Sequence, residues 1–172
     1  MRERWFEKRR LRDQRGITLV EIIIVIAIVG ILASTAVMMI GHLHYADTQK
    51  VMKTLDASLN QLQVKSISKS ENYYLYIYHL DNGYYVQILP DNLSAFDATK
   101  LTKDGTKLSN NTIKLCQDGA ELAENSFMKI AYTKQATFDT ANTTVQTILI
   151  DGVPKYSIRL VMDTGKHFVE SN

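Results

Sequence analysis

The sequence predicts an α+β fold in which one long N-terminal helix packs on a C-terminal antiparallel β-sheet. Residues 17–40 form an almost uninterrupted apolar run, and residues 41–70 continue with apolar side chains at helical spacing. The residues that follow switch to the alternating and aromatic pattern of strands. At 172 residues, the chain is long enough for one modest globular domain with an appendage.

Residues 1–16 form a basic leader ahead of the apolar run. They contain seven Lys or Arg against three Asp or Glu, a net charge of +4, whereas residues 42–172 contain thirteen against fourteen, a net charge of −1. Basic residues beside an apolar span stay in the cytoplasm, so we expect the leader inside the cell and the C-terminal part outside. A nearly neutral C-terminal part also argues against nucleic-acid binding, which needs a clustered basic surface.

Residues 17–40 are expected to cross a membrane as a helix. This segment of 24 residues would form a helix about 36 Å long, against about 30 Å for the hydrocarbon core of a bilayer. Its apolar side chains are interrupted at five positions: Thr18, Glu21, Gly30, Ser34 and Thr35.

Residues 41–70 are predicted to continue the same helix as an amphipathic segment that enters the globular domain. No proline interrupts the chain between residues 17 and 70. The apolar stripe consists of residues at steps of four, four, three and five: Val51, Leu55, Leu59, Leu62 and Ile67.

Residues 71–172 are predicted to form the antiparallel sheet. The runs 73–78 and 84–89 flank Asp81-Asn82-Gly83, a hairpin signal because Asn and Gly tolerate positive φ. We interpret the tyrosines of these two runs as packing between sheet and helix, rather than as a stacking surface for a ligand or DNA. Residues 91–111 are predicted to be a loop, and further strands are expected at 112–116, 127–132, 144–150, 156–162 and 166–169.

The junction between leader and apolar run carries the most specific motif. The sequence Arg15-Gly16-Ile17-Thr18-Leu19-Val20-Glu21, followed by apolar residues up to Ala33, resembles the class III signal of type IV prepilins and type II secretion pseudopilins. This resemblance implies a pilin-like fold. It also implies that a membrane-embedded prepilin peptidase cuts after Gly16, removes residues 1–16 and then N-methylates Ile17.

Glu21 is the one carboxylate inside the apolar run. A charge there costs about 2.5–3.5 kcal/mol on insertion scales, so it needs a compensating partner. Cleavage would create a positive amine on Ile17, and the resemblance implies that Glu21 pairs with the N-terminal amine of a neighbouring subunit during assembly. Such a contact would offset the desolvation of the carboxylate. Gly30 is expected to be a weak point of the helix.

The sequence differs from the family pattern in two respects. The new first residue would be Ile17, where Phe is usual, and no proline follows the apolar half of the helix near Met38. The stretch 154–166 is similar to the closing hairpin of minor pseudopilins of the H type, mainly in its alternation and its turn glycine.

The resemblance implies a structural subunit of a pilus or pseudopilus, and the loop-rich C-terminal part and the missing proline favour a minor one. Its partners would be the prepilin peptidase, other pilin subunits, the inner-membrane assembly platform and, before assembly, membrane lipid. It would be a single-pass protein of the cell membrane, and later part of an extracellular or periplasm-spanning filament.

Two other classes of protein remain open. One is a secreted or anchored binding protein with an ordinary Sec signal, cut after Ser34-Thr35-Ala36, although this leaves Glu21 unexplained. The other is an enzyme on a permanent anchor, for which no catalytic group set or cofactor motif is present. N-terminal sequencing separates these two classes from the pilin-like subunit. The mature chain would begin at Ile17 in the pilin-like subunit, at Val37 in the secreted protein and at Met1 in the protein with a permanent anchor.

The cysteine and histidines predict no further chemistry. A lone Cys116 cannot form an internal disulfide and is expected to be a small, half-buried apolar residue. The histidines are His42, His44, His79 and His167, and none has the spacing of a zinc site. We therefore expect no metal, no cofactor and no enzymatic activity.

Overall fold

A computed structural model describes residues 18–171, and for residues 35–43 it describes the helical backbone alone. The chain divides into two compact units, one that ends at Ile40 and one that begins at Gly41. The elements are α1 (Leu19–Ser68), β1 (Tyr74–Leu80), β2 (Gly83–Leu89), β3 (Thr106–Ser109), β4 (Lys114–Gln117), β5 (Ala120–Glu121), β6 (Phe127–Ala131), β7 (Thr147–Asp151), β8 (Tyr156–Val161) and β9 (Lys166–Ser171).

The α+β class and the antiparallel pairing are confirmed, but the strands form two sheets instead of one. Sheet A has the order β3-β2-β1-β6, and sheet B has the order β5-β4-β7-β8-β9. The prediction of a single sheet was wrong because alternation reveals which face of a strand is buried and says nothing about which strands share hydrogen bonds.

The expected membrane span is not confirmed. In the described part of the chain, no helix combines the length and the apolar character that crossing a bilayer requires. The helical backbone itself begins at Leu19 and ends at Ser68.

The C-terminal half of α1 supplies one side of the main core. Its stripe Val51, Leu55, Leu59 and Leu62 is buried as predicted and clusters with apolar residues of both sheets. Ile67 was predicted to extend the stripe, but it is 53% exposed. A step of five residues turns a side chain about 140° around the helix, so the buried position falls four residues after Leu62, at Ser66.

The predicted hairpin is confirmed. Leu80 pairs with Gly83 across the turn, which leaves Asp81 and Asn82 as its two central residues. Gly83 has a φ of 133°, and a Cβ there would collide with the backbone carbonyl of Ser109. Only glycine therefore fits this position without strain.

The tyrosines of β1 and β2 are buried, but most of them do not face the helix. Leu75 and Ile77 belong to the cluster that contains the helix stripe, so the alternating tyrosines of β1 lie on the opposite face of sheet A. The loop between β2 and β3 covers that face through Leu93 and Leu101. This second cluster contains Tyr74, Tyr76, Tyr78 and Tyr85, whereas Tyr84 belongs to the main core.

Two short strands were missed. The segment 91–111, predicted to be a loop, contains β3, and β5 consists of two residues only. Both strands lie at sheet edges, where one neighbour provides the pairing and little alternation is needed.

Candidate functional site

The N-terminus of α1 has a defined cap. The Glu21 backbone N–H donates to the Thr18 hydroxyl at 3.2 Å, and the Ile22 N–H donates to the Thr18 carbonyl at 3.2 Å. Thr18 is therefore the N-cap residue, and Glu21 occupies the third position of the helix. The spacing Thr-x-x-Glu is the sequence signature of a capping box. It was visible in the sequence and could have predicted the role of Thr18.

Glu21 lies in this first turn with an exposed side chain. The free N–H groups of a helix N-terminus carry a partial positive charge, which stabilises a carboxylate nearby. Glu21 thus has a local structural role at the start of α1, which its position in an apolar run did not reveal. The pairing with a neighbouring amine stays a prediction, because a single chain contains no neighbour.

The apolar segment Leu19–Leu32 exposes its large side chains on every face. The exposed fraction ranges from 48% at Ile22 to 74% at Leu19. Folded monomers rarely expose so large a continuous apolar surface unless it binds a partner or a membrane. The exposed residues are Leu19, Val20, Ile22, Ile23, Ile24, Val25, Ile26, Ile28, Val29, Ile31 and Leu32.

Gly30 lies within continuous helix, and a Cβ placed on it would meet no atom within 4 Å. Packing inside the single chain therefore does not require glycine at this position. Glycine inside a helix costs about 1 kcal/mol relative to alanine, so the predicted weak point remains a prediction that rests on backbone freedom.

Some residues considered in the sequence lie outside the part of the chain that the structure describes, and others have a defined place in it. Gly16 and Ile17, the residues of the predicted cleavage site, lie outside the described residues, as does the side chain of His42. Among the described histidines, His44 is exposed. His79 Nδ1 lies 3.0 Å from the Leu122 carbonyl oxygen, and His167 Nε2 lies 2.9 Å from Asp56 Oδ1.

Cys116 is buried, and burial raises the pKa of its thiol. Because the thiolate is the reactive form, this shift makes the residue less nucleophilic. Within residues 18–171, no three His, Cys, Asp or Glu side chains come together in a group that could hold a metal ion.

Comparison with known families identifies the N-terminal segment. Residues 11–37 match the prokaryotic N-terminal methylation motif. The chain carries this methylation motif. It is the class III signal of type IV pilins and pseudopilins, so the resemblance found in the sequence is confirmed. The matched residues include Gly16, Ile17, Glu21 and Gly30. No curated protein and no solved structure gives a significant match to the chain.

The methylation motif connects the local observations. It begins in the basic leader, contains the capped start of α1 and covers the apolar segment Leu19–Leu32. Because the motif ends at residue 37, it assigns a role to the N-terminal segment and none to the two sheets.

Proposed function

We propose that this protein is a structural subunit, and not an enzyme, of a type IV pilus or of a type II secretion-like pseudopilus. The observation that carries the proposal is the methylation motif at residues 11–37, which overlaps a helix with exposed apolar side chains on every face. In this proposal, prepilin peptidase cuts after Gly16 and methylates Ile17. The loop-rich C-terminal part and the lack of a proline near Met38 favour a minor subunit.

In this proposal, the apolar segment Leu19–Leu32 is covered first by lipid and later, in the filament, by the helices of other subunits. Before assembly, lipid of the cell membrane surrounds residues 17–40, with the leader in the cytoplasm and the sheets outside the cell membrane. During assembly at the inner-membrane platform, helices of other subunits replace the lipid. Because lipid is as apolar as these side chains, close packing and polar contacts must drive the exchange.

Glu21 would provide one such polar contact. Removal of residues 1–16 leaves a positive amine on Ile17, and the Glu21 carboxylate of a neighbouring subunit can pair with it. In a low-dielectric filament core, this pairing offsets the desolvation of both charges only when the geometry is good. It would therefore favour one axial position of a subunit relative to the next.

The cleavage step can be tested by N-terminal sequencing and intact mass measurement of the mature protein, in cells with and without their prepilin peptidase. We expect a mature chain that begins at Ile17 and carries one methyl group, and we expect an uncut chain without the peptidase. A mature chain that begins at Val37 would identify an ordinary secretory signal, and one that begins at Met1 would identify a permanent anchor.

The assembly role of Glu21 can be tested separately from its role at the helix start. In Glu21→Gln the residue keeps a side chain suited to the third position of a capping box, but it loses its charge. We expect Glu21→Gln and Glu21→Ala to lose incorporation into sheared filaments to a similar extent, by at least about tenfold. Filament incorporation of Glu21→Gln at the wild-type level would refute the charge pairing.

A further inference from the structure

A groove runs along one side of α1, within the unit that begins at Gly41. Its central cavity has a volume of about 800 Å³ and is lined by residues between positions 46 and 61 of α1, over about 22 Å of helix, and by Thr106 of β3. Two smaller cavities, of about 210 and 170 Å³, share the lining residues Lys50 and Gln61 with it, respectively. We call the three cavities together the α1–β3 groove.

The central cavity contains hydrogen-bond donors that the chain itself does not use. Lys50 and Lys53 are exposed, and in the described part of the chain neither side chain forms an ion pair or a hydrogen bond. The side chains of Gln61 and Thr106 have no hydrogen-bond partner there either. Four side chains with free donors, two of them positively charged, therefore line one cavity.

The charge of the groove is positive at its centre. Among the described residues, no Asp or Glu lines the central cavity beside Lys50 and Lys53. Each smaller cavity adds one Asp and one further Lys, which leaves the excess of positive charge unchanged. These residues are Asp47 and Lys107 at one end, and Asp104 and Lys65 at the other. The groove therefore complements a negatively charged partner.

Several other lysines of the same unit are already neutralised by carboxylates. Each of these lysines forms an ion pair with an Asp or a Glu at 2.7–3.4 Å, and they are Lys100, Lys103, Lys114 and Lys155. The two lysines of the central cavity differ from them, because their charges are left for a group from outside the chain.

We propose that the α1–β3 groove binds an acidic segment of another protein. Carboxylates of the segment pair with Lys50 and Lys53, and its oxygen atoms accept hydrogen bonds from Gln61 and Thr106. Ala57 lies between Lys53 and Gln61 along the helix, and its small side chain leaves space for the backbone of the segment.

Other occupants fit the charge or the lining of the groove less well. Residues 1–16 have a net charge of +4, and a second copy paired symmetrically through the groove would place its lysines against those of the first. A helix that binds a membrane surface exposes large apolar side chains beside its lysines, whereas Ala, Thr, Ser and Gln line this cavity. Nucleic acid needs a broader basic surface than two lysines provide.

The experiment uses the mature protein in nanodiscs of phosphatidylcholine, labelled for NMR, and hexaglutamate as the probe. We expect saturable shifts at the amides of Ala57 and Thr106, and weaker binding at high salt, because salt screens exposed charge pairs. Hexaglutamine has nearly the same shape without the charge and should bind at least about fivefold more weakly. Equal binding of the two peptides would overturn the proposal.

A pair of charge variants locates the site. Lys50→Gln/Lys53→Gln should weaken the binding of hexaglutamate at least about fivefold, because it removes both charge pairs. The control Lys69→Gln/Lys166→Gln removes the same net charge at exposed positions outside the groove and should bind as the wild type does. Equal weakening in the two variants would show a response to net charge alone, and wild-type binding of Lys50→Gln/Lys53→Gln would also overturn the site.

A change of volume tests the groove without changing its charge. Ala57 is exposed, and leucine is a good helix former, so Ala57→Leu should leave the fold intact while it fills the space beside Lys53. We expect it to weaken binding at least about fivefold through a steric clash, whereas the control Ala57→Ser keeps the groove open and should bind normally. Wild-type binding of Ala57→Leu would contradict a segment that lies in the groove.

The same spectra identify a different occupant. Tighter binding of hexathymidylate than of hexaglutamate would assign the groove to nucleic acid, and shifts at Ala57 on addition of phosphatidylglycerol to the nanodiscs would assign it to an anionic membrane. Shifts that depend only on protein concentration would assign it to a second copy. Each of these results would overturn the assignment to an acidic protein segment.

The groove and the proposed function can fail separately. All of the groove residues lie between positions 46 and 113, so the titration does not depend on where the mature chain begins. A mature chain that begins at Met1 would overturn the proposed function, and the binding of hexaglutamate would still decide whether the groove takes an acidic segment.

Discussion

The two halves of α1 are both rich in apolar residues, yet their side chains have opposite surroundings. In Leu19–Leu32 the large apolar side chains are at least 48% exposed, whereas Val51, Leu55, Leu59 and Leu62 are almost completely buried. The second half needs one stripe, because it packs on one side of a sheet domain. The first half is apolar on every face, which indicates that an apolar environment has to surround this part of the helix. The width of the apolar pattern on a helix therefore indicates how much of its surface has to be covered by other groups.

The largest effect is expected from removing a side chain of the buried stripe. Leu59→Ala should lower the free energy of unfolding of the sheet domain by about 2–5 kcal/mol, because it leaves a cavity in the main core. The matched variant Ile24→Ala, in the exposed half, should change it by less than about 0.5 kcal/mol. Urea unfolding of the protein in detergent, followed by the near-ultraviolet circular dichroism of the tyrosines, measures both. Equal destabilisation by the two variants would contradict the difference in burial between the two halves of α1.

Alkaline pH should destabilise the sheet domain and leave the apolar half unaffected. Burial raises the pKa of Tyr78 to about 12, and it also raises the pKa of Tyr76, Tyr84 and Tyr132. An unfolded tyrosine has a pKa of about 10, so this contribution to stability is fully present below pH 10 and is lost as the pH rises to about 12. Residues 17–40 contain no tyrosine.

Urea unfolding at a series of pH values between 9 and 12 measures this dependence. The variant Tyr78→Phe removes one of the titrating groups and should make stability fall less steeply over that range. An unchanged slope in Tyr78→Phe would show that Tyr78 does not contribute to the alkaline transition.

A smaller effect is expected at Thr48, which lies just before the N-terminal end of the buried stripe. Thr48 is fully buried, and its hydroxyl accepts a hydrogen bond from the Val153 N–H at 3.3 Å and donates to the His44 carbonyl at 2.9 Å. Thr48→Val should cost about 1–3 kcal/mol, because it leaves the Val153 N–H without its acceptor. In the control Thr54→Val, the lost bond joins two residues of the helix, and we expect a change below about 0.5 kcal/mol.

The smallest effect is expected at the cap of the apolar half. Thr18→Ala should weaken the first turn of α1 by about 1 kcal/mol, whereas Thr18→Ser keeps the hydroxyl and should behave as the wild type. Hydrogen exchange at the amides of Glu21 and Ile22 reports this loss. Unfolding of the sheet domain should not change, and a change there would indicate that the two halves are energetically coupled.

Much of the fold could be predicted from neighbouring residues. The hairpin at Asp81-Asn82, the stripe from Val51 to Leu62 and most strands depend on patterns within about ten residues, and local sequence determines such patterns. The prediction that Ile67 is buried was wrong because a step of five residues does not stay on one face of a helix. Ser66 and Thr48 were missed because polar residues carry no apolar signal, although both are buried.

The candidate site was predictable to a different degree. The methylation motif and Glu21 were visible in the sequence, and the cap by Thr18 could have been found from its spacing to Glu21. The exposure of the apolar segment on every face also follows from its composition. The position of β9 at the edge of sheet B could not be predicted, because a local pattern does not reveal which strands lie on either side of it.

By itself, the sequence determined the motif at the N-terminus, the helical periodicity and the position of the hairpin, because each depends on side chains that lie close together along the chain. Only the tertiary structure decided that the strands form two sheets, that a loop covers the tyrosines and that β9 lies at the edge of sheet B. These features join distant residues, as the bond between Thr48 and Val153 does across 105 positions. Such contacts are selected by the packing of the whole domain, which no local pattern encodes.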